Sequence, residues 1–493
     1  MITIDQLAIF CKKKGFVYPS AEIYNGLAGF FDLGPLGVEL SNNIKSSWWH
    51  TFVRSREDVV GIDGSIITHP KVWKASGHLD CFEDVFVEDA KTKERYRADH
   101  LVADVLHIPT DGMPPDQLWQ IIQKHNIQSP KGNPLSQPKK FNLMFHTTVG
   151  PVQDEKSTSY LRPETAQNIF INFRAVCETS RLKLPFGIAQ IGKGFRNEIS
   201  PRDFLFRVRE FEMMEIEYFI DPGKKFDKLT AKQKNLKVFF LSQEEQGKAN
   251  PKTETTTIAR LLSSKKLTPA HAYWIADAYL WFLSLGLKKE NLRVREHTKE
   301  ELSHYSTATF DIDYNFPFGW KEIHGNANRG TYDLAQHEKF SNAKMSVFDE
   351  ETKQKVLPSV IEPSWGVGRA FLALLLDAYD DDKKRGNIVL KLAPKVAPIQ
   401  VGVFPLVKNK KQIVKAAKEI FHSLKHSFAA TYDDGGSIGR RYARADESGI
   451  PFCITVDFDS LKDKKVTIRN RDTTKQVRVK IKELKDKLSS MID

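Results

Sequence analysis

Apolar positions divide the chain into elements before any other property is considered. Leu36, Leu40, Ile44, Trp48 and Phe52 recur at four-residue intervals, so 36–54 predicts an amphipathic helix buried along one side. Val59–Thr68 then predicts a strand, ended by Pro70 because proline has no N–H for a ladder. Pro185–Phe219 predicts two strands joined by a charged loop, Ile199–Arg207. Further on, Ala270–Leu287 reads as a helix, Thr309–Ile312, Trp320–His324 and Ser359–Glu362 as strands, and Gly366–Tyr379 as a helix opened by glycines. Two stretches break the pattern. The segment 101–140 is rich in Pro, Gly, Gln and Lys and reads as an inserted module with outer limits near 85 and 150. A Lys-rich insertion follows at 222–267, its outer limit near 300.

Around Pro394–Pro398 the pattern changes to regular alternation: strand Gln400–Phe404, helix Lys410–Leu424, strand Phe428–Tyr432, helix Ile438–Asp446, strand Phe452–Phe458. A hairpin, Val466–Arg469 with Gln476–Val479, and a charged helix close the chain. This alternation predicts a separate α/β domain at 394–493 behind a larger domain at 1–393. No internal repeat is visible.

Composition adds four limits. At 493 residues the chain exceeds one ordinary core. An excess of 74 Lys and Arg over 62 Asp and Glu, a formal charge of +12, favours a polyanionic partner without naming one. Cys11, Cys81, Cys177 and Cys453 lie far apart with no C-x-x-C pair, so neither a disulfide framework nor a zinc knuckle is expected. The longest apolar run, Ala370–Leu376, is too short for a bilayer, and no signal peptide is read at the start. The expectation is a soluble, cytoplasmic protein without membrane contact.

Several motif matches fail on context. Gly187–Lys193 has phosphate-loop spacing, but Gly194 stands where the magnesium-binding hydroxyl belongs and the segment reads as strand. Lys344-Met345-Ser346 lacks the second lysine of a mobile lysine loop, and Gly435–Gly439 reads as a turn and cap. His78, His146 and His324 stand apart without metal-ligand spacing.

Residues 195–215 carry the chemistry. Nucleotide activation needs cations on phosphate oxygens, an aromatic platform for adenine, and carboxylates for magnesium or amines. Arg196 and Glu198 are two apart, as are Arg207, Arg209 and Phe211, so on facing strands each set shares a face. Glu362-Pro363-Ser364-Trp365-Gly366-Val367-Gly368-Arg369 supplies a glycine-rich strand-to-helix turn, with Arg369 in the first helical turn, where the helix dipole adds to its pull on phosphates.

Phe195-Arg196-Asn197-Glu198 through Arg207 and Phe211 resembles motif 2 of class II aminoacyl-tRNA synthetases, and Glu362–Arg369 resembles motif 3. The helix at 36–54 with the strand up to Pro70 resembles motif 1, which in that class forms a dimer interface. Six phrases resemble the dimeric, two-subunit glycyl-tRNA synthetases along nearly the whole chain. They begin at Phe30-Phe31-Asp32-Leu33-Gly34-Pro35, Trp73-Lys74-Ala75-Ser76-Gly77-His78, Phe141-Asn142-Leu143-Met144-Phe145, Leu161-Arg162-Pro163-Glu164-Thr165-Ala166-Gln167, Gly319-Trp320-Lys321-Glu322-Ile323-His324-Gly325 and Ser437-Ile438-Gly439-Arg440-Arg441-Tyr442.

The resemblance implies a mixed α/β fold, an antiparallel sheet flanked by helices, with a C-terminal α/β anticodon-binding domain. It implies a glycine–tRNA ligase using ATP and Mg2+, with tRNA(Gly) and glycine as partners, acting as a homodimer through motif 1. Arg196, Arg369 and Glu198 would be catalytic. ATP would be held by Arg196, Asn197, Glu198, Phe206, Arg207, Val208, Arg209, Glu210, Phe211, Glu322, Ile323, Gly366, Val367, Gly368 and Arg369. Glycine would be held by Arg97, Glu164, Phe211, Glu212, Met213, Met214, Glu215, Glu362, Pro363, Ser364, Trp365 and Gly366, the acidic trio Glu164, Glu215 and Glu362 taking the ammonium. Bacterial relatives often carry a cysteine pair before Phe141–Phe145; here Ser129–Asn133 has none, so no structural zinc is expected. A rival reading as a nucleic-acid-binding accessory protein would be expected to lack Arg196, Arg207 and Arg369, and a synthetase for another small amino acid would be expected to lack the Glu164 and Glu362 phrases.

Overall fold

The computed structural model describes residues 2–106, 108, 110, 112–151, 157–303 and 305–492; positions 107, 109 and 111 of the first insertion, together with 1, 152–156, 304 and 493, lie outside the described residues. Its centre is a nine-stranded sheet. In chain order the strands are β1 (Val59–Gly61), β2 (Phe186–Phe195), β3 (Glu210–Ile220), β4 (Lys237–Leu241), β5 (Glu254–Thr257), β6 (Leu292–Glu296), β7 (Ala308–Phe316), β8 (Gly319–Gly330) and β9 (Ser359–Gly366). Across the sheet the order is β5-β4-β6-β7-β8-β9-β3-β2-β1, with only the β1–β2 and β4–β6 pairs parallel.

Side-chain alternation sorts this sheet into two faces. On one face Met214, Ile216 and Tyr218 of β3 and Ile361 and Trp365 of β9 are buried in the main core, which also takes in the helices Pro35–Trp49, Pro269–Ser284 and Val367–Ala378. The Pro269–Ser284 helix is apolar nearly all round, and Ala270, Ala272, Trp274, Ile275, Ala276, Ala278, Tyr279, Trp281 and Phe282 are all buried. On the other face Phe186, Ile188, Phe219 and Val360 pack with Phe170 and Phe173 of the helix Ala166–Ser180. Further along that second face the residues turn polar and line a cleft.

Several elements depart from the expected pattern. The strand expected over Val59–Thr68 is broken into β1 and a two-residue strand, Ile67–Thr68, in a separate three-stranded sheet. Gly61 ends β1 and Gly64 follows it, where a Cβ would collide with the Trp49 ring and the Asn168 side chain respectively. The loop of the charged hairpin is wider than expected, 196–209, so Arg196, Glu198, Arg207 and Arg209 lie beyond the strands. Asp203 and Phe204 adopt left-handed φ values of 60° and 57° there, and the Asn197 N–H is taken by Leu143 O at 2.8 Å instead of the ladder. Within the second insertion β4 and β5, not expected as strands, extend the main sheet. The strands β7, β8 and β9 run longer than expected, and Gly366 ends β9.

The first insertion has its own core, with Val87, Ala98, Leu101, Val102, Leu118, Ile122 and Ile127 buried over a sheet of Glu83–Glu88, Arg95–Arg97 and Lys139–Asn142. The C-terminal unit is a five-stranded sheet, Ala430–Tyr432, Val401–Pro405, Phe452–Val456, Lys465–Asn470 and Gln476–Lys480 in spatial order. The helices Lys411–Lys425 and Ile438–Glu447 fill its crossovers, and Ser437 caps the second of these. Among the described residues no helix is long and apolar enough to cross a membrane.

Candidate functional site

The β2–β3 hairpin builds one end of the cleft. Gly194 stands opposite Phe211, and a Cβ at Gly194 would lie 2.8 Å from that ring, so glycine makes room for an aromatic in the cleft. Two residues further, just past the strand ends, Arg196 N–H donates to Arg209 O at 2.9 Å. This sets the Arg196 guanidinium 5.2 Å from the Phe211 centroid and 5.5 Å from that of Phe82, while its Nε donates to Pro163 O at 3.1 Å. Arg207 lies across the loop, 3.7 Å from a Glu198 carboxylate oxygen. Arg369, in the first turn of its helix, reaches the Glu322 carboxylate at 3.0 Å and lies 4.4 Å from the Phe206 centroid. Two arginines of one hairpin loop and a third from the distant Val367–Ala378 helix thus line one cleft of about 420 Å³, each steadied by a ring or a carboxylate.

The opposite end is acidic. Cross-strand register places Glu215 of β3, Ser364 of β9, Gly325 of β8 and Asp311 of β7 in one row across the sheet. Glu362 and Glu217 sit two residues further along the same face. Thr165, just before the helix Ala166–Ser180, gives both its N–H and its hydroxyl to Glu215, the N–H at 2.7 Å. Glu164 accepts from Gln167 at 3.1 Å and faces His78 at 3.4 Å and Arg329 at 3.7 Å. Arg329 of β8 is the hub. It binds Asp333 through two nitrogens at 2.7 and 2.9 Å and Glu362 at 3.0 Å, and lies 3.8 Å from the Tyr305 centroid.

These contacts set the charges. Burial opposes ionisation of Glu164, but His78 and Arg329 outweigh it and hold the carboxyl well below its ordinary value. Burial lifts Glu362 to about 8 against the pull of Arg329, with Glu215 and Glu164 adding repulsion. Glu217, fully buried and with neither oxygen hydrogen-bonded among the described residues, is pushed well above its ordinary value by burial and by Glu362. The Arg329 guanidinium is held firmly charged: burial opposes it, and Asp333 and Glu362 more than compensate.

Most expected residues border this cleft, and some do not. Asn197, Arg209, Glu210, Met214, Ile323, Pro363, Trp365 and Val367 lie outside its lining. For Trp365 and Met214 the cause is strand alternation: they share a rung on the helix-covered face, where Trp365 packs 4.9 Å from Phe52 and 5.5 Å from Trp48 between ring centroids. Ile323 is buried in the same core. Arg209 does not share the face of Arg207 and Phe211, because its guanidinium donates to Ala28 O and Glu198 O. Glu210 pairs with Lys193 on the surface, and Glu212 reaches the cleft edge with its carboxylate held by Lys45 at 2.9 Å. Arg97 lines the cleft, already paired with Asp84 and Asp99.

The cleft also contains residues that sequence patterns did not single out: Asp84, His297, Tyr305 and Asp311, together with Phe82 and Thr309. His297 Nε2 lies 2.7 Å from Asp311, which is also held by Arg295. No motif spacing marks them: Phe82 and Asp84 enter from the first insertion, His297 and Tyr305 from the loop between β6 and β7, and Thr309 and Asp311 from β7. Glu198 and Glu322 offer hard carboxylate oxygens to the cleft, and the Glu322 side chain is 40% exposed beside Arg369, a donor set that fits magnesium accompanied by phosphate. Among the described residues no cluster of three or more His, Cys, Asp or Glu is arranged to hold a metal by itself.

Comparison with known proteins places the chain in a family. Residues 145–379 match the model of the tRNA synthetase class II core domain (G, H, P, S and T), and residues 400–491 match that of an anticodon binding domain. The chain is 46% identical to the glycine–tRNA ligase of Caldanaerobacter subterraneus subsp. tengcongensis over 489 residues, 97% of this chain and 96% of that one. It is 44% identical to the glycine–tRNA ligase of Ruminiclostridium cellulolyticum, covering 98% and 97% of the two chains, and 44% identical to that of Corynebacterium glutamicum, covering 99% and 98%. A prolyl-tRNA synthetase from Cryptosporidium parvum, solved with halofuginone and AMPPNP, shares the fold at a TM-score of 0.59 and 14% identity, covering 99% of this chain and 75% of that one. With a class II core, an anticodon-binding domain and full-length relatives at this identity, the chain belongs to the glycine–tRNA ligase family of class II aminoacyl-tRNA synthetases.

Proposed function

We propose that this protein is a glycine–tRNA ligase, which activates glycine with ATP and esterifies it to the 3′ end of tRNA(Gly). The observation that carries the reading is the change of sign along one cleft, from three arginines at one end to Glu164, Glu215 and Glu362 at the other. ATP offers phosphates and glycine an ammonium, and the cleft offers a complement to each, with Arg97 left for the glycine carboxylate.

In the first step a glycine carboxylate oxygen attacks the α-phosphorus and the bond to the β-phosphate oxygen breaks, giving glycyl-adenylate and pyrophosphate. Arg196 serves the α-phosphate, Arg207 and Arg369 the outer phosphates, and Phe211 the adenine ring. Glu322 and Glu198 would hold magnesium, which when bound neutralises phosphate charge. The terminal ribose hydroxyl of tRNA then attacks the carbonyl carbon and AMP leaves. Positioning and fixed charge supply the rate enhancement.

Glu164, Glu215, Glu362 and Ser364 hold the ammonium, with Arg97 toward the carboxylate. The bonded network of Arg329, Tyr305 and these carboxylates closes the space a side chain would need. Such closure is effective because each extra methylene changes binding by about 1–3 kcal/mol, so no editing site is needed. The C-terminal domain meets the tRNA anticodon. A homodimer forms through the helix Pro35–Trp49 and its surroundings, where Ile23, Tyr24, Leu27 and Val38 are exposed apolar residues. The enzyme works in the cytoplasm.

Pyrophosphate exchange with each amino acid in turn tests this reading. Glycine should support exchange well above alanine and serine, and Arg196→Ala should abolish it while the circular dichroism spectrum stays unchanged. Alanine or serine outperforming glycine, or near-normal exchange in Arg196→Ala, would refute it.

A further inference from the structure

Five carboxylates, from Glu164, Glu215, Glu217, Glu362 and Asp333, converge on the one guanidinium of Arg329. They are not equally provided for. Asp333 has two guanidinium hydrogen bonds and Gln167 at 2.9 Å. Glu164 has Gln167, His78 and Arg329, and Glu215 has the N–H and hydroxyl of Thr165. Glu362 has a single Arg329 nitrogen at 3.0 Å, shared with a site that already serves Asp333. Glu217 has no hydrogen-bond donor among the described residues.

A buried carboxylate keeps its charge only where cations or donors replace water. Ranking the five by donors therefore orders them by who gives up ionisation first: Glu217, then Glu362. The two differ in position. Glu362 lines the cleft, whereas Glu217 is fully buried behind it and outside the lining. An arriving ammonium reaches Glu362 and brings the cation it lacks.

Resting on the glycine reading above, we infer that the free enzyme keeps a proton on the Glu362 carboxyl and that the substrate ammonium expels it to solvent, while Glu217 stays a neutral acid throughout. The exchange balances: a Glu362 carboxylic acid and a glycine zwitterion become a carboxylate–ammonium pair plus one proton released to buffer. The groups facing Glu362 are Arg329 of β8, Glu215 and Glu217 of β3, Glu164 before the helix Ala166–Ser180, and Tyr305 from the β6–β7 loop. Asp333, in the helix Tyr332–Ser341, acts through Arg329, and His78 through Glu164. Only Arg329 among them opposes the proton directly, and it is already shared.

The burial-raised value of Glu362, about 8, sets the window. Glycine binds the ionised form, so its apparent dissociation constant should level off above pH 8. Below that it should rise about tenfold per pH unit, as the competent fraction falls.

Titration calorimetry of the full-length enzyme with glycine at pH 7, in buffers of different ionisation enthalpy, tests this. The slope of heat against buffer enthalpy should give close to one proton released per glycine, falling to about half at pH 8. An infrared difference spectrum should lose a protonated-carboxyl band when glycine is added. Glu217→Gln, which mimics a neutral acid, should leave the proton count and the glycine affinity within about threefold of the parent. Glycine binding with no buffer dependence and no infrared change overturns the inference and leaves the glycine reading intact. No glycine binding at all overturns the glycine reading itself. Loss of proton release in folded Glu217→Gln would move the proton to Glu217 and refute the assignment.

Discussion

Trp365 gives a sharp test of which side of the sheet faces substrate. It stands between Ser364 and Gly366, in a segment whose family resemblance implies glycine contact, yet β9 turns its ring to the helix-covered face. There it is fully buried, with ring centroids 4.4 Å from His324, 4.9 Å from Phe52, 5.5 Å from Trp48 and 6.3 Å from Trp281. Trp365→Ala leaves a cavity among four rings and should cost about 3–5 kcal/mol, the range for large buried aromatics. Trp365→Phe behaves differently. It gives up roughly 50 Å² of buried surface, about 1.3 kcal/mol at 25 cal/mol/Å². Against this, the indole N–H meets no acceptor among the described residues, and removing an unmatched buried donor recovers about 1–3 kcal/mol. The two terms nearly cancel.

Urea denaturation followed by circular dichroism should therefore show Trp365→Phe close to the parent and Trp365→Ala lower in midpoint by about 1–2 M. The glycine KM in pyrophosphate exchange should stay within about threefold for both, because the affected volume lies across the sheet from the cleft. If Trp365→Phe raised the glycine KM by about tenfold or more with the urea midpoint unmoved, the ring would belong to the pocket, and the face assignment would be wrong.

Two other perturbations probe what holds the frame. Asp58 accepts from Arg56 at 3.0 and 3.1 Å, Tyr218 at 2.7 Å and Lys228 at 2.7 Å; burial opposes its charge, but these donors lower its pKa from 3.8 to about 2. Its contribution is thus present above about pH 4 and lost as pH falls through about 2. Asp58→Asn should cost roughly 1–2 kcal/mol at neutral pH, after allowing for solvent screening, and acid titration should show the difference vanishing near pH 2. In the first insertion Asp89 accepts from Ser129 at 2.6 Å, Asn133 at 3.1 Å and the backbone of Lys91 and Thr92, tying the turn at 129–133. Asp89→Ala should lose hydrogen-exchange protection within 83–142 and spare the main sheet, and chelators should leave that protection unchanged; stoichiometric zinc by elemental analysis would contradict a protein-only clasp.

Much of this was legible from spacing, for particular reasons. Arg196, Phe211 and Arg369 are set by local geometry, a hairpin and a strand-to-helix turn, and local geometry leaves a sequence signature. The strands within the second insertion were not legible because β4 and β5 are short, polar-flanked strands toward the edge of the sheet, where little alternation is required. Arg329 carries no signature: it sits in a strand among Asn326, Ala327 and Asn328, and its importance comes from what β9 and the helix Tyr332–Ser341 bring to it. Asp311 faces the cleft by plain alternation, opposite the buried Phe310 and Ile312, but a lone aspartate in a strand does not show which partners the sheet brings to it. Trp365 was the reverse case. Alternation from Glu362 and Ser364 already pointed it away, and only the motif suggested otherwise.

The cleft's polarity explains why these features occur together. A zwitterion with no side chain offers no apolar surface to recognise, so its orientation has to come from charge. Charge of one sign at each end is costly in the empty state, and the structure meets that cost differently at the two ends. The arginines are held near rings and single carboxylates, arrangements that phosphates can displace. The carboxylates cannot be relieved in the same way, because more cations would fill the space the ammonium needs. One arginine behind them and a proton on Glu362, the least supported acid that lines the cleft, neutralise the cluster without occupying the pocket. The substrate ammonium replaces the proton and occupies the same site, which makes the shortage of cations around Glu362 a feature of recognition.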